Sequence, residues 1–499
     1  MRRSICSEFE PAIQSELMQI GRGDIPYFYT YADSGDLYAD GRTVVRNVFD
    51  TSAKQHILND LAAMSEKDLS FDLQLLVRSI GQYPRRLPED EWDAQRQPLR
   101  TAEPLSRPQA LEEARRQFEL VFDLGMEAPD GKLFWGYTSD PDCAFRFSDL
   151  GFANGLTGIA VFAAAYAYVS GDTRAKELAS RAVREAVTEM ERFCGRYEET
   201  RFPADQFPNL GESVGMGGKL NGLALLRRYT GSEAIAALQE KALTVLSHYG
   251  FSHYCAPDRM IGISGLVSVL CRFEEYKVRT DLIAAAADSL LAMKTLPCKG
   301  KLLWKSFPDK PRPISGGGHG LAGVAEALFI AGATLGDEKY ARAAEDAIRF
   351  ELEAYNEKFR TWSDLRIDPP VGFMHGYCSG APGIGIMLER IRKAGYESAE
   401  LEKCAALAKR STDELPLNAR DHLCCGNSAV AEYYMTVGRF DEAGRVLAAM
   451  QRRSAETGGY RYLGYACQNG VTPSLFYGAS GIGYEMLRYA CPHTILSVI

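Results

Sequence analysis

The sequence predicts an all-α chain made from one repeated helical unit, with seven copies arranged as a double ring of inner and outer helices. Three observations predict it. First, G-x-x-G followed by an apolar run recurs as NGLTGIAVF, VGMGGKLNG, IGISGLVSV, HGLAGVAEA, SGAPGIGIM, CGNSAVAEY and YGASGIGYE. The first glycines stand at 155, 215, 262, 320, 380, 426 and 478, at near-regular intervals of 60, 47, 58, 60, 46 and 52 residues. Such self-similarity is the mark of a repeat architecture. Second, a further glycine closes the apolar run in five copies (Gly171, Gly231, Gly336, Gly395, Gly438), at 16, 16, 16, 15 and 12 residues after the first. That interval fits a helix of roughly 18–24 Å ending in a glycine C-cap. Third, few runs alternate apolar and polar residues, and β-branched clusters are short, so strand signals are weak. The 46 glycines exceed the roughly 35 expected for this length. Thirteen of them fill the fourteen G-x-x-G slots, and Ala429 takes the other.

After each closing glycine comes a more charged helix. TRAKELASRAVREAVTEMERF shows it best, with Leu178, Ala179, Ala182, Val183, Ala186, Val187 and Met190 on one face and Lys, Arg and Glu on the other. The first helix of each hairpin is apolar nearly all round and must be buried on both sides. Seven such hairpins can form an open solenoid or a closed ring, and a double ring suits the contrast between the two helices.

The repeat region is predicted to run from 111 to 499. Upstream, five prolines and ten charged residues between Pro84 and Pro108 mark 83–110 as a linker. Residues 1–82 form a separate segment, in which ICSEFEPAIQSELMQI and SAKQHILNDLAAMSEKDLSFDLQLLVRSI read as helices flanking the turn-rich GRGDIPYFYTYADSGDLYADG. With so few core positions, such a segment makes a poor independent domain.

Composition narrows the function. With 57 basic and 65 acidic side chains the formal charge is −8, which argues against a nucleic-acid or anionic-lipid partner. The N-terminus turns acidic where a signal peptide would be apolar, and the longest apolar run, Leu156–Val169, is too short for a transmembrane segment. A cytoplasmic location is expected. Twelve cysteines without any C-x-x-C do not form a disulfide framework.

In a closed ring the loops before each G-x-x-G gather on one face. The residues just before the first glycines are Ala153-Asn154, Ser213-Val214, Met260-Ile261, Gly318-His319, Cys378-Ser379, Cys424-Cys425 and Phe476-Tyr477. Three cysteines and a histidine thus occupy the fourth, fifth and sixth repeats. Thiolates suit Zn²⁺, and catalytic zinc takes three protein ligands with one open position. Cys378, Cys424 and Cys425 supply such a set, each near a helix N-terminus that favours a thiolate; the bland alternative is that Cys424 and Cys425 are small buried apolar residues. His319, on the glycine-rich turn GGGHG, reads as either a fourth ligand or a general acid/base. His375 and His422 flank the site as supporting groups.

These residues resemble a known family. From about 111 to 499 the chain is similar to the lanthionine synthetase C-like (LanC-like) cyclases, α/α toroids whose G-x-x-H-G, W-C-x-G and C-H-G motifs read here as Gly316–Gly320, Tyr377-Cys378-Ser379-Gly380 and Cys424-Cys425-Gly426. Residues 1–82 look like the end of the dehydratase domain that precedes the cyclase in class II (LanM-type) lanthipeptide synthetases. The resemblance implies Cys378, Cys424 and Cys425 as zinc ligands, His319 as acid/base, and Asp258, in DRMIGISG, as a catalytic aspartate. Two positions depart from the pattern. Tyr377 stands for the usual Trp, read as a packing change, and Cys425 for the usual His, as in a three-cysteine branch of class II enzymes.

The implied activity is addition of peptide cysteine to dehydroalanine or dehydrobutyrine, forming (methyl)lanthionine thioether rings in lantibiotic biosynthesis. The partner is a dehydrated precursor peptide. No phosphate loop or Lys/Asp/Asn set for ATP and Mg²⁺ is found, so a separate dehydratase is expected. Competing readings are a zinc-containing peptide-binding toroid without turnover and a prenyltransferase-like zinc enzyme that alkylates thiols. Glycosidase α/α barrels fit less well, because no carboxylate pair stands in the repeat slots.

Overall fold

The computed structural model describes residues 2–81, 103–138, 145–200, 209–251, 256–307, 312–366, 373, 375–462 and 471–499. Most of the linker expected at 83–110 lies outside the described residues. The chain divides into two compact units, Met1–Leu76 and Val77–Ile499.

In the first unit, α1 (Arg2–Gly21) precedes a two-stranded hairpin, β1 (Leu37–Ala39) and β2 (Arg42–Val45). Positive φ at both Asp40 and Gly41 gives the hairpin its tight turn. Next come α2 (Ala53–Ala63), whose Ser52 cap accepts from the Gln55 N–H, and α3 (Glu66–Gly81), which ends beyond Leu76. Core positions are as few as the sequence implied: α2 buries no residue, and Leu17, Ile25, Ile57, Leu61, Leu69 and Leu73 are exposed.

The second unit opens with α4 (Arg107–Leu124), started by a Ser106–Gln109 capping box. A three-stranded sheet follows, β3 (Gly125–Glu127), β4 (Leu133–Thr138) and β5 (Phe145–Phe147). The helices then alternate as expected: α5 (Leu156–Ser170), α6 (Thr173–Thr200), α7 (Met216–Thr230), α8 (Glu233–Tyr249), α9 (Ile263–Arg272), the short α10 (Glu274–Lys277) and α11 (Thr280–Ala292). After the hairpin of β6 (Lys294–Cys298) and β7 (Lys301–Trp304) come α12 (Leu321–Leu335) and α13 (Glu338–Ala354). The strands β8 (Tyr355–Asn356) and β9 (Thr361–Trp362) lead to α14 (Ala381–Lys393), α15 (Ala399–Asp413), α16 (Asn427–Thr436), α17 (Phe440–Thr457) and α18 (Ala479–Ala490).

The seven helices that follow G-x-x-G pack in a closed cycle: α5, α7, α9, α12, α14, α16, α18 and back to α5. This is the predicted α/α toroid. The inner helices are buried on all sides, as in α5 from Leu156 to Ala167, whereas an outer helix such as α13 buries one stripe, Tyr340, Ala341, Ala344, Ala347, Ile348 and Glu351. Six inner helices pair with the outer helix that follows them, but the seventh, α18, takes α4 from the other end of the domain. Tyr489 seals that closure by donating its hydroxyl to the Leu105 carbonyl, 384 residues away in sequence, at 2.6 Å.

The glycines do two jobs. At Gly323 a β-carbon would overlap the Gly317 carbonyl, and at Gly383 the Tyr377 carbonyl, so the first helical turn lies directly on the loop that precedes it. At the other end Gly171, Gly231 and Gly336 cap α5, α7 and α12 in the left-handed region, with φ of 74°, 67° and 67°. Gly395 and Gly438 also have positive φ but fall one residue beyond the caps Ala394 and Val437.

The loops before the inner helices form a second, tighter ring. Ala153 N–H donates to Ser213 O (3.2 Å), Ser213 to Met260 (3.3 Å), Met260 to Gly318 (3.2 Å), Gly318 to Cys378 (3.1 Å), Cys378 to Cys424 (3.2 Å), Cys424 to Phe476 (3.0 Å), and Phe476 back to Ala153 (2.9 Å). Each link joins residues two positions before a first glycine, so the repeat register and the backbone register coincide.

Small hairpins tack onto the outer helices through tryptophan. The indoles of Trp135, Trp304 and Trp362 donate to the carbonyls of Val121, Leu290 and Glu351 at 2.7–2.8 Å. Inside the ring the last residues are buried: Asn221 donates to the Val498 carbonyl (3.0 Å) and Tyr484 to that of Leu496 (2.8 Å). Among the described residues, no helix is long and apolar enough to cross a membrane.

Candidate metal centre and acid–base pair

The loop ring brings the predicted cysteines together. The sulfurs of Cys378, Cys424 and Cys425 lie within 4.8 Å of one another, and those of Cys424 and Cys425 are 3.5 Å apart. That separation is far beyond a disulfide bond of about 2.05 Å, so the thiols are free. Adjacent residues reach one point because the Cys424 backbone is committed to the ring on both sides, while the Cys425 N–H donates to His422 Nδ1 at 3.2 Å. Burial pushes His422 down to about 4, which keeps its imidazole neutral and able to accept that bond.

Packing three thiols this closely sets their protonation. Cys378 is pushed well above the ordinary thiol range, first by hydrogen bonding with Cys424 and Cys425 and then by burial. Cys425 is pulled well below it, because its sulfur is where bonds from Cys378 and Cys424 converge. A cation at the centre of the three sulfurs would displace their protons. The donor set fits a soft divalent metal: with Zn–S bonds of about 2.3 Å, tetrahedral sulfurs stand roughly 3.8 Å apart.

The predicted acid–base residues also meet. His319 Nδ1 lies 2.6 Å from Asp258 Oδ2, with Asp258 fully buried and 18% of the His319 side chain exposed. The other oxygen of Asp258 accepts the Ile261 N–H at 2.8 Å, which locks the carboxylate into the loop that begins α9. With Nδ1 committed, Nε2 is the nitrogen left for chemistry. The His319 N–H donates to the Cys378 carbonyl at 3.1 Å, so the imidazole is carried on the loop next to the thiols. His375 stands three residues before Cys378 and is half-buried.

Several groups at the site were not singled out from the sequence. Glu351, on outer helix α13, accepts from Ser315 Oγ, from Gly316 N at 3.1 Å and from Ala322 N at 2.9 Å. It thereby braces both ends of the loop carrying His319, and burial pushes its carboxyl up to about 7. Its signal was an acidic residue in the apolar stripe of an amphipathic helix. Asp421 does the same for the cysteine loop, accepting from Asn427 Nδ2 (2.8 Å), Arg453 (2.5 Å) and the Arg461 N–H (3.0 Å). Tyr477 places its hydroxyl 3.5 Å from the Cys424 sulfur.

Tyr377 is more than a packing change. Its hydroxyl donates to Glu212 and accepts from Arg259 Nε at 3.0 Å, within a buried cluster where Arg259 also pairs with Glu212 at 2.6 Å and with Glu326. An indole at this position has no oxygen with which to accept the arginine.

The architecture and this cluster define a class: an α/α toroid that presents a thiol triad able to hold a metal and a His–Asp pair from one ring of loops. The family model for lanthionine synthetase C-like protein matches residues 146–498, and the chain belongs to that family. Among solved structures the fold is shared with nisin cyclase, at 16% identity and a TM-score of 0.53, covering 70% of this chain and 91% of that one. Two unsaturated glucuronyl hydrolases also align, one specific for heparin (14% identity, TM-score 0.39, 70% of this chain and 98% of that one) and one from Streptococcus agalactiae (12% identity, TM-score 0.41, 70% and 93%). No curated protein sequence matches the chain.

Proposed function

We propose that the chain is a zinc-dependent lanthipeptide cyclase that joins peptide cysteines to dehydroalanine or dehydrobutyrine as thioether rings. The observation that carries this reading is the convergence of Cys378, Cys424 and Cys425 beside the His319–Asp258 pair, in a chain of the LanC-like family.

Cys378, Cys424 and Cys425 would hold zinc and leave a fourth position to the substrate. Bound there, the metal supplies the stabilisation that lets a peptide thiol exist as thiolate near neutral pH. His319 Nε2 takes up the thiol proton, and Asp258 steadies the resulting imidazolium through Nδ1. The sulfur adds to the β-carbon, the carbon–carbon double bond becomes an enolate, and His319 returns a proton to Cα. Atoms balance: the ring is an isomer of the dehydrated peptide.

The reading further assigns dehydration to a separate dehydratase, residues 1–82 to a dehydratase-like segment and 83–110 to the join with the ring. Incubation of the purified protein with a dehydrated precursor peptide tests it. Each ring formed removes one thiol from those open to alkylation. An unchanged thiol count with zinc bound contradicts the cyclase reading and favours a peptide-binding toroid.

A further inference from the structure

Three thiolates around Zn²⁺ carry a formal charge of −1, and a substrate thiolate raises it to −2. In a buried site such excess charge calls for hydrogen-bond donors on the sulfurs. One candidate donor stands beside the cysteine loop. Tyr477 fills the slot just before Gly478 in the seventh repeat, equivalent to Cys425 in the sixth and His319 in the fourth. Its neighbour Phe476 is a link in the closed backbone ring, accepting from Cys424 N–H and donating to Ala153 O. Its own N–H donates to Ser474 Oγ at 3.3 Å, and its ring packs on His422 with centroids 5.2 Å apart. The phenol is thus fixed from three directions, with its hydroxyl accepting from the Cys424 S–H at 3.5 Å; a deprotonated Cys424 can only accept, and the phenol O–H then becomes the donor.

We propose that Tyr477 is a positioning residue of the metal centre, donating its O–H to the Cys424 thiolate and so offsetting the surplus negative charge of a three-cysteine site. It acts through Cys424 and needs no contact with the peptide. The bond offsets charge on one sulfur and lowers its affinity for a competing proton, which favours retention of the metal, and it tempers the reactivity of the thiolates. This inference rests on the metal-centre reading above.

Cobalt substitution of the full chain separates the two. Co²⁺ titrated into the apo-protein gives a thiolate-to-cobalt charge-transfer band, and the proposal expects Tyr477→Phe to move that band to lower energy and to weaken binding about 10- to 100-fold. Tyr477→His, which retains a ring and a donor, brings both back toward the wild-type values. Tyr434→Phe, a buried tyrosine that bonds Asp413 rather than a cysteine, leaves both unmoved. If the phenylalanine chain loses helix by circular dichroism, Tyr477→Met serves as the donor-free variant. An identical band and affinity in the donor-free chain overturn the role of Tyr477 alone. A wild-type chain with no thiolate band overturns it together with the metal-centre reading.

Discussion

The loops of repeats seven, one and two and those of repeats four, five and six share one backbone and differ in what they present. Phe476, Ala153 and Ser213 pass the same N–H···O links around the ring as Gly318, Cys378 and Cys424, with lengths of 2.9–3.3 Å throughout. In the first arc the slots hold no thiol and no imidazole, whereas the second gathers three sulfurs and an imidazole. The backbone ring is therefore the scaffold, and the thiols and the imidazole of the candidate site stand on one arc of it. Repeat three stands between: Met260 continues the ring, and Asp258, two residues earlier, reaches across to His319.

The comparison breaks most visibly at Cys425. Cys425→Ala removes one of the three proposed ligands, and metal analysis is expected to find zinc well below one per chain with ring formation lost, while Ser213→Ala on the other arc leaves zinc near one per chain. His319→Ala comes next. It should keep the metal and lower turnover by about 10²- to 10⁴-fold, the range for a general acid/base, read as the rate of thiol loss at saturating peptide. Zinc lost together with activity would make His319 a ligand instead.

A smaller effect lies in pH dependence. The Glu351 carboxyl is raised from 4.5 to about 7 in the folded chain, so the native state holds its proton more tightly than the unfolded one. Its contribution to stability is full below about pH 4.5 and is lost as pH rises through about 7, a swing on the order of 3 kcal/mol. Glu351→Gln is expected to flatten the fall in thermal midpoint across that window. An unchanged slope assigns the pH dependence to other groups. Smallest is Tyr377→Phe, which deletes the hydroxyl shared by Glu212 and Arg259 and is expected to cost about 2 kcal/mol in denaturant unfolding with zinc content unchanged.

Much of the ring was legible because a local physical need repeats along the chain. Six of the seven inner helices start against a loop carbonyl that leaves no room for a β-carbon, as at Gly323 and Gly383, and that spacing also locates the slots holding Cys378, Cys424, Cys425 and His319. What escaped is decided by contacts far apart in sequence. The pairing of α4 with α18 joins opposite ends of the domain, so no periodicity within either segment announces it. Asp258 sits outside the slots and came only with the family resemblance. Glu351 looked like one more charged residue of an outer helix, since its three loop partners lie 29–36 residues away in sequence. At Tyr377 the exchange of one aromatic residue for another hides the hydroxyl that accepts from Arg259.

The central claim is that the cysteine arc with His319 adds a thiol across a carbon–carbon double bond and protonates Cα. Cyclisation of a dehydrated peptide in D₂O, followed by mass spectrometry after back-exchange, tests it most directly. The account predicts one carbon-bound deuterium per thiol lost, at Cα of each new ring, with the wild-type chain and not with Cys425→Ala. Thiols that persist in the presence of the zinc-loaded protein, or rings that form equally fast with Cys425→Ala, would contradict it.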